Sequence, residues 1–174
     1  MSGRVVVVGG GIAGASVALS LRRRGNDVVV LDGRATRDGP PGPEATGASA
    51  GMLAPCYEAS GEGPLFRLGV AARRRHPGFV RRLESLAGTD LGLREEGMLV
   101  PAFTAQEEAA AADAAARQRE MGLEAHILPG REACALQPGL TPVARGWTWL
   151  PGEGSLDTQR LAAALRPALE AAGA

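Results

Sequence analysis

Four valines, Val5 to Val8, run directly into glycines at positions 9, 10 and 11, with another glycine at 14. Few folds accommodate that junction. A β-branched run bounded by turn residues reads as a buried strand, here Arg4–Val8. Ile12 to Arg24 reads as a helix, with Ala15, Val17, Ala18 and Leu21 available for its buried side. Gly25-Asn26 ends it, as a glycine past the last helical turn commonly does. Asp27 to Leu31 is a second valine-rich strand. Strand, helix and strand within about thirty residues form the βαβ unit that builds parallel sheets.

The glycine spacing adds a ligand to this picture. Gly9-x-Gly11-x-x-Gly14 follows a strand and opens a helix, the context of a dinucleotide-binding turn. Gly9 permits the tight turn, Gly11 lets a pyrophosphate approach the backbone, and Gly14 lets the helix lie close to the strand. The helix N-terminus offers free N–H groups to phosphates. Asp32, eighteen positions after Gly14, ends the second strand and is placed to accept hydrogen bonds from adenosine ribose hydroxyls. The bland alternative is a strand–turn–helix without ligand, which the full context disfavours. The motif does not choose between NAD and FAD. Asp32 would repel a ribose 2′-phosphate, although Arg34 keeps NADP open.

Composition closes several other routes. The 174 residues carry 19 Lys+Arg against 19 Asp+Glu, without the basic surplus of a nucleic-acid binder. All 19 cations are arginine, which excludes a Schiff-base lysine and a Walker-type phosphate loop. Cys56 and Cys134 show no CxxC spacing, and His76 and His126 form no ligand pattern with them, so neither a disulfide framework nor a metal site is expected. No apolar stretch could span a bilayer, and the N-terminal one is too short for a signal peptide. The expectation is a soluble cytoplasmic protein. Only 3% of residues are aromatic and alanine is abundant, so packing should rely on small side chains.

Beyond the βαβ unit, Asp32 to Pro55 is rich in Gly, Pro and Ala, and Pro40, Pro41 and Pro43 forbid regular structure there. Helical periodicity returns from Pro64 to Leu86, with Pro77 expected to split it into two helices. Gly97 to Phe103 reads as a strand near a sheet edge, because Pro101 cannot donate to a ladder. Thr104-Ala-Gln-Glu107 is a capping box opening an alanine-rich helix to about Met121. A strand at His126–Leu128, a helix at Arg131–Leu136 and a strand at Arg145–Leu150 follow. Asp157 can cap a last helix with Leu161, Leu165 and Leu169 on one face, which Pro167 should kink or shorten. Arg73 to His76 read as a solvated helix face, and Cys56 as a small buried hydrophobe. Trp147 and Trp149, on one face of their strand, read as core.

The segment Ala45-Thr-Gly-Ala-Ser-Ala-Gly-Met-Leu-Ala-Pro55 is a run of small residues that exposes backbone amides and can wrap the second half of a long cofactor. Composition alone also permits a flexible linker. This segment resembles the flavin-contacting stretch of glycine oxidases, in the D-amino-acid oxidase superfamily. The stretches PLFRLGVAARRRHPGFV (64–80), EGMLVPA (96–102), LQPGLTP (136–142) and PGEGSLDTQRLAAAL (151–165) resemble it as well. The likeness runs from about Val5 to the C-terminus and is strongest to the glycine oxidases that supply dehydroglycine for thiamine biosynthesis.

The resemblance implies an α/β fold with a Rossmann-like βαβ FAD-binding unit and part of an α+β substrate domain. It implies FAD-binding residues over 1–60, a partial substrate domain over 61–150 and a return helix over 151–174. Ile12 and Ala13 would give amides to the pyrophosphate beside Gly9, Gly11 and Gly14. Asp32 and Gly33 would hold the adenosine ribose, and Ala45 and Thr46 would line the pyrophosphate. Ala50, Gly51 and Met52 would lie against the flavin end. Gly47, where the family more often has serine or a bulkier residue, should loosen the loop. The implied reaction oxidises glycine or a related small amine or amino acid to an imine with O2 as acceptor. No residue matches the family's substrate-binding arginine or its second glycine-rich loop, so no catalytic side chain is assigned. The chain is expected to be C-terminally truncated and inactive alone. The alternatives are a remnant or split-protein half with only cofactor-binding motifs, and an NAD-dependent dehydrogenase domain. The expected partner is a small-molecule substrate, without nucleic acid or membrane; a homo-oligomer or a separate C-terminal half stays open.

Overall fold

In a computed structural model of the chain the described residues are 4–33, 45–58 and 63–174; Arg34, Pro40, Pro41 and Pro43 lie outside them. The elements run β1 (Arg4–Val8), α1 (Ile12–Arg23), β2 (Asp27–Leu31), α2 (Ala45–Ala48), β3 (Met52–Leu53), α3 (Pro55–Glu58), α4 (Pro64–Ala87) and β4 (Met98–Ala102). There follow α5 (Ala105–Glu120), β5 (His126–Leu128), α6 (Gly130–Leu136), β6 (Gly146–Leu150), β7 (Gly154–Ser155) and α7 (Thr158–Ala171). Two compact units result, each assembled from separated segments. One comprises Met1–Gly51, Arg74–Leu93 and Leu156–Ala174; the other Met52–Arg73 and Arg94–Ser155.

The first unit holds the βαβ. Strands β1 and β2 are parallel, paired from Arg4↔Asp27 to Val8↔Leu31. The ladder extends one step further, where Gly9 N–H donates to the Leu31 carbonyl at 2.7 Å. Helix α1 ends at Arg23, and Gly25 with φ +81° turns the chain back, the role expected of it. Its buried residues are Ala15, Ala18 and Leu19, whereas Val17 is half exposed. The stripe follows i, i+3, i+4 from Ala15, which brings in Leu19 and turns Val17 outward. Helix α7 buries Leu161, Leu165 and Leu169 together with Ala164 and Ala168. Asp157 caps it, its carboxylate accepting from the Gln159 and Arg160 amides at 3.0 Å each. On the sheet, register puts Val6, Val8, Val29 and Leu31 on one face and Val5, Val7, Val28 and Val30 on the other. Val28 is buried, while Val8 is 83% exposed.

The second unit is built on an antiparallel sheet in the order β4-β6-β5, with β3 and β7 pairing separately. Strand β4 is an edge, as Pro101 requires. The capping box forms in full: Glu107 N–H donates to Thr104 Oγ1 and Thr104 N–H to Glu107 Oε2. The backbone N–H groups of Phe103 and Thr104, which both donate to Glu107 Oε2, hold the Glu107 carboxyl below its usual range. Ala115, Ala125 and Leu150 form the core, with Val100 and Cys56 against it.

Three expectations need correction. Pro77 does not divide the helix; α4 runs unbroken from Pro64 to Ala87. Proline there removes one N–H and leaves the Arg73 carbonyl without its i+4 donor, at a cost of about 3 kcal/mol. Burial of Val80 and Leu83, each worth about 1.5–3 kcal/mol, offsets it. Pro167 likewise neither ends nor shortens α7, which continues to Ala171; its orphaned carbonyl belongs to Ala163, an exposed residue that water can reach. The stretch between Asp32 and Pro55 is not irregular throughout, because α2, β3 and the first residue of α3 fall within it.

Leu83 is fully buried. Leu83→Ala should lower the unfolding free energy by about 2–5 kcal/mol, and Val8→Ala by less than about 1 kcal/mol, as read from urea midpoints at constant m-value.

Candidate cofactor-binding site

The site is built at the carboxyl ends of β1 and β2, where open α/β sheets bind ligands. Gly9 leaves the strand with φ +102°, a conformation that a side chain strains. Gly11 is the N-cap of α1 and has no side chain to cap it. A Cβ on Gly14 would overlap the Gly9 carbonyl oxygen and lie 3.4 Å from Val7 Cγ1. Gly14 therefore lets the helix rest on the turn that feeds it. Continuing the register past Val8↔Leu31 sets Gly9 beside Asp32, and both Asp32 and Gly33 are exposed.

The N-terminal amides of α1 have no intrahelical acceptors. One is met from a distance: Ile12 N–H donates to Thr46 Oγ1 at 3.2 Å. Ala13 and Gly14 follow at the open end of the helix. No acidic residue stands in the first turn, so the positive end of the helix is not neutralised locally. A Cβ on Gly11 would stand 3.4 Å from that same Thr46 hydroxyl. Gly11, Ile12 and Thr46 thus meet at one point, and a backbone free of side chains faces the helix end. This cradle fits a pyrophosphate.

Thr46 is buried because α2 is pinned from the other side by α7. Gln159 Nε2 donates to the Gly47 carbonyl at 2.6 Å, and Thr158 Oγ1 donates to the Ser49 carbonyl at 2.9 Å. Gly47 therefore does not loosen this segment; it lies inside α2 and its carbonyl is held. Ala45 and Ala50 are exposed on either side. Gly51 has φ +75°, its carbonyl accepts from Leu156 N–H at 2.9 Å, and a Cβ there would overlap the Leu156 carbonyl oxygen. Its lack of a side chain serves packing against the start of α7. Met52, the last expected contact, is partly exposed and opens β3 in the second unit.

Sequence reasoning missed Thr158, Gln159 and the Leu156 backbone. No local signal links residue 159 to residue 47; the only trace is their position directly around the helix cap at Asp157. Among the described residues, no group of three or more His, Cys, Asp or Glu could hold a metal ion, and no helix is long and apolar enough to cross a membrane.

Comparison with known proteins gives consistent results. Residues 4–174 match the DAO family, described as FAD dependent oxidoreductase. The chain is 34% identical over 175 residues to a glycine oxidase of Geobacillus kaustophilus, covering 98% of this chain and 44% of that protein. It is 33% identical to the bifunctional protein ThiO/ThiG of a Synechocystis species, covering 97% of this chain and 24% of that protein. The crystal structure of glycine oxidase from Geobacillus kaustophilus superposes with a TM-score of 0.84 at 31% identity, over 98% of this chain and 45% of that one. The chain thus spans less than half the length of these relatives.

Thr46→Ala should release the Ile12 amide while leaving the glycine turn in place. The expected outcome is a loss of about 1 kcal/mol of stability and faster hydrogen exchange at Ile12, measured by NMR on the unliganded chain.

Proposed function

Because the chain belongs to the DAO family of FAD dependent oxidoreductases, we propose that it supplies the FAD-binding part of an enzyme oxidising glycine or a related small amine or amino acid. The substrate loses two electrons and two protons to become an imine, O2 takes them up as H2O2, and water then hydrolyses the imine. FAD bound by this chain would supply the hydride acceptor for that oxidation. The residues of this chain do the holding. The Gly9–Gly11 turn leaves room for the pyrophosphate, and the amides of Ile12, Ala13 and Gly14 face its charge. Asp32 and Gly33 take the adenosine ribose, Ala45 and Thr46 flank the pyrophosphate, and Ala50, Gly51 and Met52 lie toward the flavin end. Residues 1–60 carry the cofactor, 61–150 contribute to the substrate side, and 151–174 return to support α2. The site of action is the cytoplasm. The similarity to glycine oxidase and to ThiO/ThiG supports a small amino-acid substrate and a link to thiamine biosynthesis.

The observation that carries this reading is the convergence of Gly11, Ile12 and Thr46 at a helix end without acidic residues. Gly11→Asp would place a carboxylate where the pyrophosphate must approach, and Asp is also a good N-cap, so the fold should survive. The expected result is loss of FAD retention, measured by flavin absorbance after desalting, with an unchanged circular dichroism spectrum. Equal retention by both proteins would overturn the assignment, and tighter binding of NAD than of FAD would favour a dehydrogenase domain.

A further inference from the structure

We propose that Glu153 and Gln118 are positioning residues that clamp the backbone of Cys56 and so hold the Met52–Pro55 segment in place. The inference rests on the reading of Gly51 and Met52 as flavin contacts.

All the groups involved lie in the second unit. Helix α3 begins at Pro55, the last residue of the segment in question. Its first N–H is missing because residue 55 is proline, and residue 54 is an alanine that cannot cap. Tyr57 and Glu58 N–H both donate to the Ala54 carbonyl, leaving Cys56 N–H as the orphan of this short turn. Glu153 meets it from 97 residues away: Cys56 N–H donates to Glu153 Oε1 at 3.3 Å. On the other side of the same residue, Gln118 Nε2 donates to the Cys56 carbonyl at 2.9 Å. Glu153 is 1% exposed and Gln118 8% exposed. Both N–H and C=O of one residue are thus held by buried side chains from distant parts of the chain.

Glu153 also sits immediately before β7, the only strand paired with β3 among the described residues. Met52 lies opposite Ser155 and Leu53 opposite Gly154. Strand β7 is fixed in turn by Arg94, which exchanges both backbone hydrogen bonds with Ser155 at 2.8 and 3.0 Å. A Cβ on Gly154 would overlap the Arg94 carbonyl oxygen. Residues 153–155 therefore grip Met52, Leu53 and Cys56 as one piece.

Burying a carboxyl group is costly, and among the described residues Glu153 Oε2 and Gln118 Oε1 have no hydrogen-bond partner. A side chain needed only to fill space would be apolar there. Burial pushes the Glu153 carboxyl above its ordinary value, with Glu58 adding to the effect and Cys56 and Arg73 opposing it. Burial, together with the neighbouring Glu153, pushes the Cys56 thiol up to about 12, so the thiol stays protonated and inert. A carboxyl with a raised pKa in the folded chain stabilises it most at low pH, and that contribution fades as pH climbs through the folded value.

The test uses the full chain in a Cys134→Ser background, so that thiol labelling reports Cys56 alone. Glu153→Ala removes the clamp, Glu153→Gln keeps the Oε1 acceptor without the ionisable group, and Gln118→Met releases only the carbonyl side. In Glu153→Ala, Cys56 labelling and Leu53 amide exchange should rise by roughly tenfold or more. FAD affinity should fall by about fivefold or more, while affinity for ADP, which engages only the adenosine end, stays unchanged. Glu153→Gln should keep wild-type Leu53 amide exchange and FAD affinity and flatten the pH dependence of stability; its Cys56 labelling should rise only modestly, because the carboxyl that raises the thiol's pKa is gone while the backbone acceptor stays. Gln118→Met should open Cys56 to a lesser degree, and reads the clamp if Glu153→Ala fails to fold. Unchanged labelling and exchange in both clamp variants overturn the proposal, whatever FAD does. Raised labelling with unaltered FAD affinity overturns the coupling to the cofactor. A wild-type chain that binds FAD no more tightly than ADP overturns the flavin-end reading itself, and the coupling with it.

Discussion

The missing side chain of Gly14 governs the first unit. With no Cβ to separate them, α1 rests directly on the carbonyl of Gly9. That contact delivers the helix N-terminus to the end of β1 and brings Ile12 N–H within reach of Thr46. Thr46 in turn sits on a one-turn helix whose Gly47 carbonyl is held by Gln159 of α7, with Thr158 holding the Ser49 carbonyl just beyond it. Each of these hydrogen bonds contributes only about 1 kcal/mol net. Their order matters more than their sum, because a methyl group at residue 14 would displace the first member and misplace the rest.

Small side chains carry this logic through the molecule. Ala15 and Ala18 of α1, Ala164 and Ala168 of α7, and Ala115, Ala125 and Ala133 in the second unit are all buried. An alanine removes little apolar surface from water, but it lets elements approach closely. Backbone and polar contacts then take a larger share of the specification. In the parallel pair β1–β2, one face leaves Val6, Val8 and Leu31 more than half exposed. Parallel strands usually have both faces covered.

Charged side chains stitch the loops by reaching backbone groups. Arg22 donates from Nε to the Ala172 carbonyl and from Nη1 to the Asn26 carbonyl, so one guanidinium ties two chain reversals together. Arg119 holds the Ala125 carbonyl, and Glu84 accepts from Leu91 N–H. A planar, five-donor fork suits such divided duty better than a point-like ammonium. A chain whose cations are all arginine can use this device repeatedly.

Local chemistry made much of this legible in the sequence. The glycine spacing after a valine run specified strand, turn and helix, because only glycine meets the steric demands at 9 and 14. The Thr104–Glu107 box and the Asp157 cap marked two helix starts, since capping is settled within four residues. Pro101 located the β4 edge. The corrected features are the non-local ones. Pro77 and Pro167 lie inside continuous helices because burial of Val80 and Leu83, and of Leu165 and Leu169, outweighs a local penalty. Gly47 is held and Gly51 is packed by residues more than a hundred positions away. The division into two interleaved units, and the meeting of Glu153 and Gln118 at Cys56, likewise exist only once the chain has closed on itself. Sequence pattern encodes what neighbours within a turn or two must do. Contacts between distant segments depend on which surfaces are left to be buried, and the tertiary structure alone decides that.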